Sequence, residues 1–409
     1  TYPGQYTYKY PMAGEDNSKV SVLSFDIKAN NTRTLKVPMD EDGYIPRIFP
    51  TTELDKKGAA TPNCKVAVVT QNRHQDRLEI FLADARSTES KMILRDEVDK
   101  YFVEDAYNYL TFYPGGFLMC SERDGYNHIY QYSLTGQLKR QVTKGEWVVT
   151  DLYGMDDKTG DIYYASREES PMRKAIYKID AKGKKTKLST RQGTNNATFS
   201  STMKYYVNVW TDINTPPVTT LCNNLGRELK VMEDNAALRE KLATCELGKR
   251  EFFQFTTSEG ATLNGFMITP RDFDPAKKYP VVMFQYSGPG SQQVLDSWNV
   301  GNGGGALFEE YLAQQGIISV VVDGRGTGGR GAAFEKCTYL NLGDLESRDQ
   351  VETALYLGTL PYVKKESIGI WGWSYGGFMT PMSMSEGRPV LAAGVAVAPP
   401  TSYRFYDSV

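Results

Sequence analysis

The strongest chemical signal in the sequence is a serine set between glycines. Ser374 lies in the run Gly372-Trp373-Ser374-Tyr375-Gly376-Gly377, which has the G-x-S-x-G pattern of a nucleophile elbow. An apolar run, residues 368–371, precedes it, and a helix-like run, residues 378–385, follows it. A tight strand-to-helix turn needs residues without side chains beside the serine, and it places the serine at a helix N-terminus, where a developing oxyanion is stabilised. The pattern therefore predicts that Ser374 is the nucleophile of an acyl-transfer reaction.

An oxyanion formed at Ser374 needs hydrogen-bond donors. The backbone N–H of Tyr375, directly after the serine, is the expected first donor. A second donor is expected in the loop after an earlier strand, and residues 284–290 form such a loop, without the glycine run that would supply a backbone donor. The phenol of Tyr286 is the obvious substitute. Packing is the more common role of a tyrosine that ends a strand, so from these residues alone both roles stay open.

The composition argues against several other functions. The 409 residues include 47 Lys and Arg against 49 Asp and Glu, a net charge of −2, which lacks the basic surplus of proteins that bind nucleic acid. Every apolar run is far shorter than the roughly 20 residues that cross a bilayer, so no transmembrane segment is predicted. The two histidines and five widely spaced cysteines form no metal-ligand pattern, and neither a metal nor a cofactor is predicted.

The first part of the chain is rich in short strands that repeat. Each copy of the repeat has an alternating apolar strand, a small polar residue, a polar turn and a second strand. The copies are residues 22–26, 80–84, 129–133, 176–180 and, more faintly, 218–223. Their spacing of about 43 to 58 residues is close to the length of a four-stranded propeller blade. The repeat predicts a β-propeller rather than a large β-sandwich, which has no reason to repeat at this period.

After about residue 250, apolar strands alternate with helices. Strands are predicted at residues 252–257, 263–269, 281–286, 317–322 and 367–371, and helices at residues 306–315 and 345–358. This alternation predicts a doubly wound, mainly parallel sheet that meets ligands at the carboxyl ends of its strands. A helical linker is predicted at residues 236–242, and Pro381 predicts a kink or an early end in the helix after Ser374.

Seven runs, spread over nearly the whole chain, together match one known family. They are Tyr10 to Gly14, Glu233 to Leu238, Tyr286 to Gln292, Asp323 to Gly326, Trp371 to Gly377, Val397 to Pro399 and Tyr406 to Val409. With these runs the chain resembles the prolyl oligopeptidase family of serine peptidases, in its dipeptidyl peptidase IV branch of bacterial type. The resemblance implies an eight-bladed β-propeller and an α/β-hydrolase domain, with residues 1–236 as propeller blades and residues 237–409 as the peptidase domain.

The resemblance also implies an activity and roles for particular residues. The implied activity is that of a serine exopeptidase that releases N-terminal Xaa-Pro or Xaa-Ala dipeptides through an acyl-enzyme on Ser374. The implied oxyanion hole consists of the Tyr375 amide and the Tyr286 hydroxyl, which favours catalysis over packing for Tyr286. The wall of the S1 pocket, which binds the residue before the scissile bond, is matched by Pro400, Tyr403 and Tyr406. A flat apolar slot suits a proline ring, which buries apolar surface and has no N–H to satisfy.

Some features of the family have no counterpart in the sequence. The triad of α/β-hydrolases runs serine, acid, histidine, but no histidine follows Ser374 and no acid is assigned. His74 and His128 fall in the propeller part and are expected to be satisfied strand or turn residues. In this branch, the glutamate pair that binds the amino group of the substrate precedes the first of the seven runs. Glu168 and Glu169 follow that run, so they do not match the pair by position and are expected to form a solvated turn. The sequence is thus expected to belong to a longer chain that is truncated at both ends.

Two other functions stay open. One is a different peptidase of the family, with tripeptidyl, acylaminoacyl or endo-acting specificity, and the glutamate pair would distinguish it because only a clamp on the N-terminal amine enforces exopeptidase cleavage. The other is a catalytically silent propeller protein that binds peptides, against which the intact elbow around Ser374 argues. The resemblance further implies a periplasmic or secreted homodimer whose partners are peptides with a penultimate Pro or Ala.

Overall fold

The computed structural model describes residues 3–57, 60–298 and 306–406. These residues form two compact units. The first contains the described residues of Thr1–Met119, Gln131–Arg140 and Pro400–Val409, and the second contains Cys120–Tyr130 and the described residues of Gln141–Pro399. The domain division expected between residues 236 and 237 groups the elements differently and stays a prediction. No helix within the described ranges is both long enough and apolar enough to span a membrane.

Residues before 236 form strands almost throughout. The strands are β1 (Leu23–Asp26), β2 (Asn31–Thr34), β3 (Tyr44–Leu54), β4 (Ala60–Gln71), β5 (Arg77–Asp84), β6 (Ser90–Glu97), β7 (Thr111–Tyr113), β8 (Gly116–Ser121), β9 (His128–Ser133), β10 (Leu138–Gln141), β11 (Val149–Met155), β12 (Ile162–Ser166), β13 (Ala175–Ile179), β14 (Lys185–Lys187), β15 (Thr194–Phe199), β16 (Tyr205–Thr211), β17 (Val218–Asn223) and β18 (Glu228–Glu233), with the short helix α1 (Asp105–Asn108) before β7. They form a two-stranded sheet, β1-β2, and four sheets of four consecutive strands, β3 to β6, β7 to β10, β11 to β14 and β15 to β18. Each blade of a β-propeller is one four-stranded sheet, and successive blades follow one another along the chain.

The repeated sequence motif occupies the same place in every four-stranded sheet. Its copies fall on β5, β9, β13 and β17, the third strand of each sheet, and on β1 of the two-stranded sheet. The polar residue that ends the motif begins a turn: the side-chain Oδ1 atoms of Asp26, Asp84, Asp180 and Asn223 each accept two backbone N–H groups at 2.8 to 3.1 Å. This local hydrogen bonding reverses the chain into the fourth strand. The repeat predicted from the sequence is therefore confirmed, together with its physical cause.

The remaining elements alternate between helix and strand. They are α2 (Ala236–Ala243), β19 (Lys249–Thr256), β20 (Thr262–Thr269), β21 (Tyr279–Gln285), α3 (Leu307–Gln314), β22 (Ile318–Asp323), α4 (Ala332–Glu335), α5 (Asp344–Gly358), β23 (Val363–Trp373), α6 (Tyr375–Met384) and β24 (Ala393–Val397), with single 3-10 turns at Lys336–Thr338 and Tyr403–Phe405. The strands form one sheet in the order β19-β20-β22-β21-β23-β24. The hairpin β19-β20 is antiparallel and joins β22 antiparallel, whereas β22, β21, β23 and β24 run parallel.

This sheet is covered on both faces. Val320 packs in the same buried cluster as Leu357 of α5, whereas its neighbour Val321 packs with Ala313 of α3. Successive strand residues point to opposite faces, so α3 and α5 cover opposite sides of the sheet. Because both faces of β22 are buried, its residues do not alternate between apolar and polar as they would in a strand with one solvent-exposed face.

Most elements of this part agree with the sequence-based expectation, but strand β24, the short helix α4 and the end of α6 do not. Strands β19 to β23 and helices α2, α3 and α5 lie within a few residues of their predicted positions. Strand β24 is not predicted by the sequence. Of the two outcomes expected at Pro381, the early end does not occur, because α6 continues to Met384, and the kink stays a prediction. A proline lacks the N–H that a helix needs, and its ring crowds the carbonyl group four residues earlier. The carbonyl oxygen of Pro381 nevertheless accepts the N–H of Ser385 at 3.0 Å, so the helix continues past it.

Candidate active site

Ser374 lies at the sharp turn between β23 and α6. Its backbone has φ 57° and ψ −117°, a left-handed conformation that a non-glycine residue rarely adopts. The N–H of Ser374 donates to the carbonyl oxygen of Val397 in β24 (2.9 Å), and its carbonyl oxygen accepts the N–H of Phe378 in the first turn of α6 (3.0 Å). These two bonds fix the strained turn from both sides. The half-buried side chain of Ser374 thus stands at the helix N-terminus, at the carboxyl end of its strand.

The glycines after Ser374 let this turn approach the neighbouring strand. A Cβ atom on Gly376 would lie 2.2 Å from the carbonyl oxygen of Gln285 and 3.0 Å from the Cα atom of Tyr286. A Cβ atom on Gly377 would lie 2.4 Å from the carbonyl oxygen of Val397. Both distances to oxygen are too short for any side chain. The requirement for glycine predicted from the sequence therefore has a specific cause, the close contact of the elbow with the strand end at Gln285.

Tyr286 lies beside the elbow because its strand is the neighbour of the serine's strand. Strands β21 and β23 are parallel, and Gln285 pairs with Gly372 in their register. The residues that follow, Tyr286 on one strand and Ser374 on the other, therefore emerge at the same edge of the sheet. The half-buried ring of Tyr286 lies 6.1 Å, centroid to centroid, from the ring of Tyr375. The structure thus brings together Ser374, Tyr286 and Tyr375, three residues that the sequence singled out.

The loop that carries Tyr286 is fixed by buried polar side chains. Ser287 has φ 61°, again left-handed, and is buried. Its hydroxyl donates to the side-chain Oε1 of Gln285 (3.2 Å) and accepts the side-chain Nε2 of Gln350 in α5 (3.3 Å). Buried hydrogen bonds of this kind favour one conformation, because breaking any of them leaves a desolvated partner.

Tyr375 contributes a backbone amide and a side chain, and the two have different environments. The amide belongs to the first turn of α6, where N–H groups point toward the helix end, as an oxyanion site requires. The hydroxyl donates to Oε1 of Glu346 at 2.8 Å. Glu346 is completely buried, also accepts the N–H of Gly343 at 3.0 Å, and has a raised pKa because of its burial. This carboxylate orients the ring of Tyr375.

Glu346 was not identified from the sequence as part of the site. The available local signal was the spacing from Gly343 to Glu346 at the start of α5, which is that of a capping box. That signal predicts a helix start and says nothing about the hydroxyl of Tyr375 in a different helix.

The residues expected to line the S1 pocket lie in the compact unit that contains Pro400–Val409. Tyr403 begins a single 3-10 turn, and its ring centroid is 6.0 Å from that of Tyr406. Pro400 and Tyr403 are half-buried, and Tyr406 is exposed. Residues 407–409, the end of the last matching run, lie outside the described residues. The S1 role of Pro400, Tyr403 and Tyr406 stays a prediction.

Both histidines have the environments expected for non-catalytic residues. His74 is exposed in the turn between β4 and β5. His128 is buried, with ring nitrogens 2.9 Å from the Thr143 hydroxyl and 2.9 Å from the Gly145 carbonyl oxygen, and burial lowers its pKa. Both ring nitrogens of His128 thus have structural partners.

The adjacent glutamates after β12 form ion pairs with lysines of β14, the outer strand of the same sheet. Glu168 pairs with Lys185 and Glu169 with Lys187, both in β14. They lie in a bend, as expected, but their side chains are 24% and 32% exposed, so they are half-buried rather than fully solvated.

Comparison with known proteins decides the family. A family model of the dipeptidyl peptidase IV N-terminal region matches residues 1–217, and a prolyl oligopeptidase family model matches residues 308–409. The chain belongs to the prolyl oligopeptidase family, in its dipeptidyl peptidase IV group. The resemblance predicted from the seven short runs is therefore confirmed.

Individual members of the dipeptidyl peptidase IV group match over the whole chain. A probable dipeptidyl-aminopeptidase B of Aspergillus niger is 33% identical over an alignment of 433 positions, which covers 100% of this chain and 46% of the relative. A probable dipeptidyl peptidase 4 of Aspergillus fumigatus is 30% identical, covering 100% of this chain and 54% of the relative. The chain thus spans about half the length of the curated relatives it matches.

A solved structure supports the fold. The crystal structure of Porphyromonas gingivalis dipeptidyl peptidase 4 is 46% identical, with a TM-score of 0.92, and covers 100% of this chain and 56% of that one. Together with the consecutive four-stranded sheets, this likeness confirms the predicted fold class of propeller blades followed by an α/β-hydrolase sheet. The number of blades in a complete propeller stays a prediction.

Proposed function

We propose that this chain supplies the nucleophile and the oxyanion hole of a serine exopeptidase that releases N-terminal Xaa-Pro or Xaa-Ala dipeptides. The observation that carries the proposal is the elbow: Ser374 has the strained backbone of a nucleophile, and Tyr286 emerges beside it from the adjacent parallel strand. The names of the similar proteins, dipeptidyl-aminopeptidase and dipeptidyl peptidase, support the same activity.

The proposed reaction follows from the geometry of these residues. The Ser374 hydroxyl attacks the carbonyl carbon of the second residue of a peptide, and the Tyr375 amide and Tyr286 hydroxyl donate to the oxyanion that forms. The amine leaves, and water then hydrolyses the acyl-enzyme. This chemistry needs no metal or cofactor. His128 is engaged by Thr143 and Gly145, and His74 lies in the exposed turn between β4 and β5, so we propose that neither is the base and that the triad histidine and acid lie outside these 409 residues.

Pro400, Tyr403 and Tyr406 are proposed to line the S1 pocket. Two aromatic rings at 6.0 Å form a flat apolar surface, which suits a proline ring or a small side chain. A periplasmic or secreted location and a homodimeric state are proposed on the family likeness alone.

The test is hydrolysis of Gly-Pro-p-nitroanilide by the full-length gene product. We expect the chromophore to be released, and we expect the Ser374→Ala variant to lose about 10³-fold or more of kcat with an unchanged unfolding midpoint. Tyr286→Phe should lower kcat by about 10²-fold or more with little change in KM, because its hydroxyl acts on the oxyanion rather than on the bound substrate.

The substrate series also separates the alternatives. N-succinyl-Gly-Pro-p-nitroanilide lacks the free amine, and its cleavage at the same rate would contradict the exopeptidase proposal. If the protein cleaves only substrates that release a tripeptide or carry an N-acyl group, the dipeptidyl specificity proposed above is wrong and the chain belongs to a peptidase of different specificity. A full-length product that binds Gly-Pro peptides without cleaving them would show that Ser374 is not used as a nucleophile.

A further inference from the structure

The segment that follows β21, here called the Tyr286 loop (residues 286–294), is attached to the turn that follows β22. The N–H of Gly290 donates to the carbonyl oxygen of Gly326, and the N–H of Gly328 donates to the carbonyl oxygen of Ser291, both at 2.9 Å. The backbones approach so closely that a Cβ atom on Gly328 would lie 2.5 Å from the carbonyl oxygen of Gly290. The position of the Tyr286 loop therefore depends on the end of β22.

The end of the Tyr286 loop is bound by one carboxylate. Asp323, the last residue of β22, accepts the N–H of Gln293 at 3.0 Å from each of its oxygens and the N–H of Val294 at 2.7 Å. Val294 is completely buried and belongs to the core cluster with Phe284, at the strand end just before Tyr286. The carboxylate thus closes the loop whose other end carries the proposed oxyanion donor.

Asp323 is buried, so the state of its charge matters. It is 8% exposed, and no side chain forms an ion pair with it among the described residues. Two guanidinium groups interact electrostatically with it, Arg167 after β12 and Arg330 before α4. Arg167 also interacts with the carboxylate of Asp151, and Arg330 with that of Asp349. Burial outweighs the two arginines and the N–H donors, and it raises the pKa of Asp323 to about 6.

We propose that Asp323 is a positioning residue for Tyr286: its ionised carboxylate holds the Tyr286 loop in place, and its protonation releases the loop and lowers turnover. A carboxylate accepts N–H groups with both oxygens, and its bonds are stronger than those of a neutral acid. Protonation occupies one oxygen and removes the charge, so the Gln293 and Val294 bonds weaken together. This inference rests on the proposed function for the role of Tyr286, but the effect of Asp323 on the loop does not depend on activity.

Protonation of Asp323 affects the free energy of unfolding and the hydrogen bonds of the Tyr286 loop in opposite directions. The pKa of Asp323 is higher in the folded state than in an unfolded chain, where it is about 3.9. The folded protein therefore binds more protons between about pH 4 and pH 6, and the contribution of Asp323 to the free energy of unfolding falls as pH rises through that interval. The loop bonds behave in the opposite way while Asp323 stays buried: the N–H groups of Val294 and Gln293 lower its pKa, so the carboxyl group binds a proton more readily once these bonds are broken. Lowering the pH should loosen the loop without unfolding the protein.

Hydrogen–deuterium exchange of the full-length protein tests this directly. The measured quantity is the exchange rate of peptides covering residues 286–298, divided by the intrinsic rate at each pH. In the wild type we expect at least about tenfold stronger protection at about pH 8 than at about pH 5, with the change centred near pH 6. Asp323→Asn keeps one acceptor oxygen without a charge, and it should show the weak protection at both pH values.

The matched control is Asp274→Asn. Asp274 precedes β21, and its carboxylate also accepts a backbone N–H, that of Ala276 at 3.0 Å. This variant should keep the wild-type pH dependence of the Tyr286 loop. Equal protection of residues 286–298 in wild type and Asp323→Asn at about pH 8 would overturn the proposal, whatever the activity.

Kinetics provide the second readout. If the full-length protein hydrolyses Gly-Pro-p-nitroanilide, Asp323→Asn should lower kcat by roughly tenfold at about pH 8 with KM within about twofold, as expected for a displaced oxyanion donor. An unchanged kcat would contradict the positioning role even though the peptidase function stands. If no substrate is cleaved, the exchange experiment still decides whether Asp323 holds the loop, so the two failures are distinguishable.

Discussion

Gly376→Ala is the sharpest perturbation of the elbow. The new Cβ atom would lie 2.2 Å from the carbonyl oxygen of Gln285 and 3.0 Å from the Cα atom of Tyr286. Carbon–oxygen contacts settle at about 3.3 to 3.6 Å, so the strand end and the elbow must separate by about 1 Å. The displaced groups are those that place Tyr286 beside Ser374.

The expected cost has a kinetic and a thermodynamic part. A misplacement of about 1 Å in an active site costs on the order of 10²-fold in rate, so kcat for Gly-Pro-p-nitroanilide should fall by about that factor. Overpacking a well-packed region costs about 1 to 3 kcal/mol, which corresponds to a lower denaturation midpoint. Both quantities are measured on the full-length protein, by initial rates and by urea unfolding.

Gly369→Ala is the matched control. Gly369 lies on the same strand, β23, and a Cβ atom there would be 3.5 Å from the carbonyl oxygen of Ala393, an ordinary contact. This variant should keep its activity within about twofold and its stability within about 0.5 kcal/mol. Wild-type activity and stability in Gly376→Ala would refute the close contact between the elbow and the strand end.

Two further predictions concern buried titratable groups. Tyr375→Phe removes a donor from the buried carboxylate of Glu346 and should cost about 1 to 3 kcal/mol in urea unfolding. The loss should grow as pH rises through the pKa of Glu346, which burial raises, because the ionised carboxylate needs the donor more; a loss that is the same at every pH would contradict this. Burial lowers the pKa of His128, so protonation favours the unfolded chain and the stability that His128 contributes is lost as pH falls through about 6.5. In His128→Gln the free energy of unfolding should therefore decrease less between about pH 7.5 and pH 5, and parallel curves for the two proteins would show that His128 is not responsible.

The propeller part was predictable because its information is local and repeated. Each third strand ends on a side chain, such as Asp84 or Asp180, that bonds to the next few backbone N–H groups and turns the chain. Such turns are encoded within a few residues and recur with every sheet, so their period is visible in the sequence.

Strand β24 was not predictable in this way. The strand has only five residues, Ala393 to Val397, and their side chains are small. These residues form a strand because they pair with β23 in parallel register. Parallel pairing joins segments that are far apart in the sequence, so the residues of β24 alone do not predict it. The same pairing provides the carbonyl of Val397 that fixes the N–H of Ser374.

The sequence by itself predicted Ser374 as the nucleophile, and it determined the type of turn around this serine and the strand-rich and alternating halves of the chain. Glycine spacing, turn residues and apolar periodicity are local properties. Only the tertiary structure decided which side chains support the site. Glu346 reaches the hydroxyl of Tyr375 from another helix, and Asp323 reaches the end of the Tyr286 loop from the neighbouring strand. These partners are chosen by sheet order and helix packing, and a buried carboxylate is stable only where folding brings N–H or O–H donors to it.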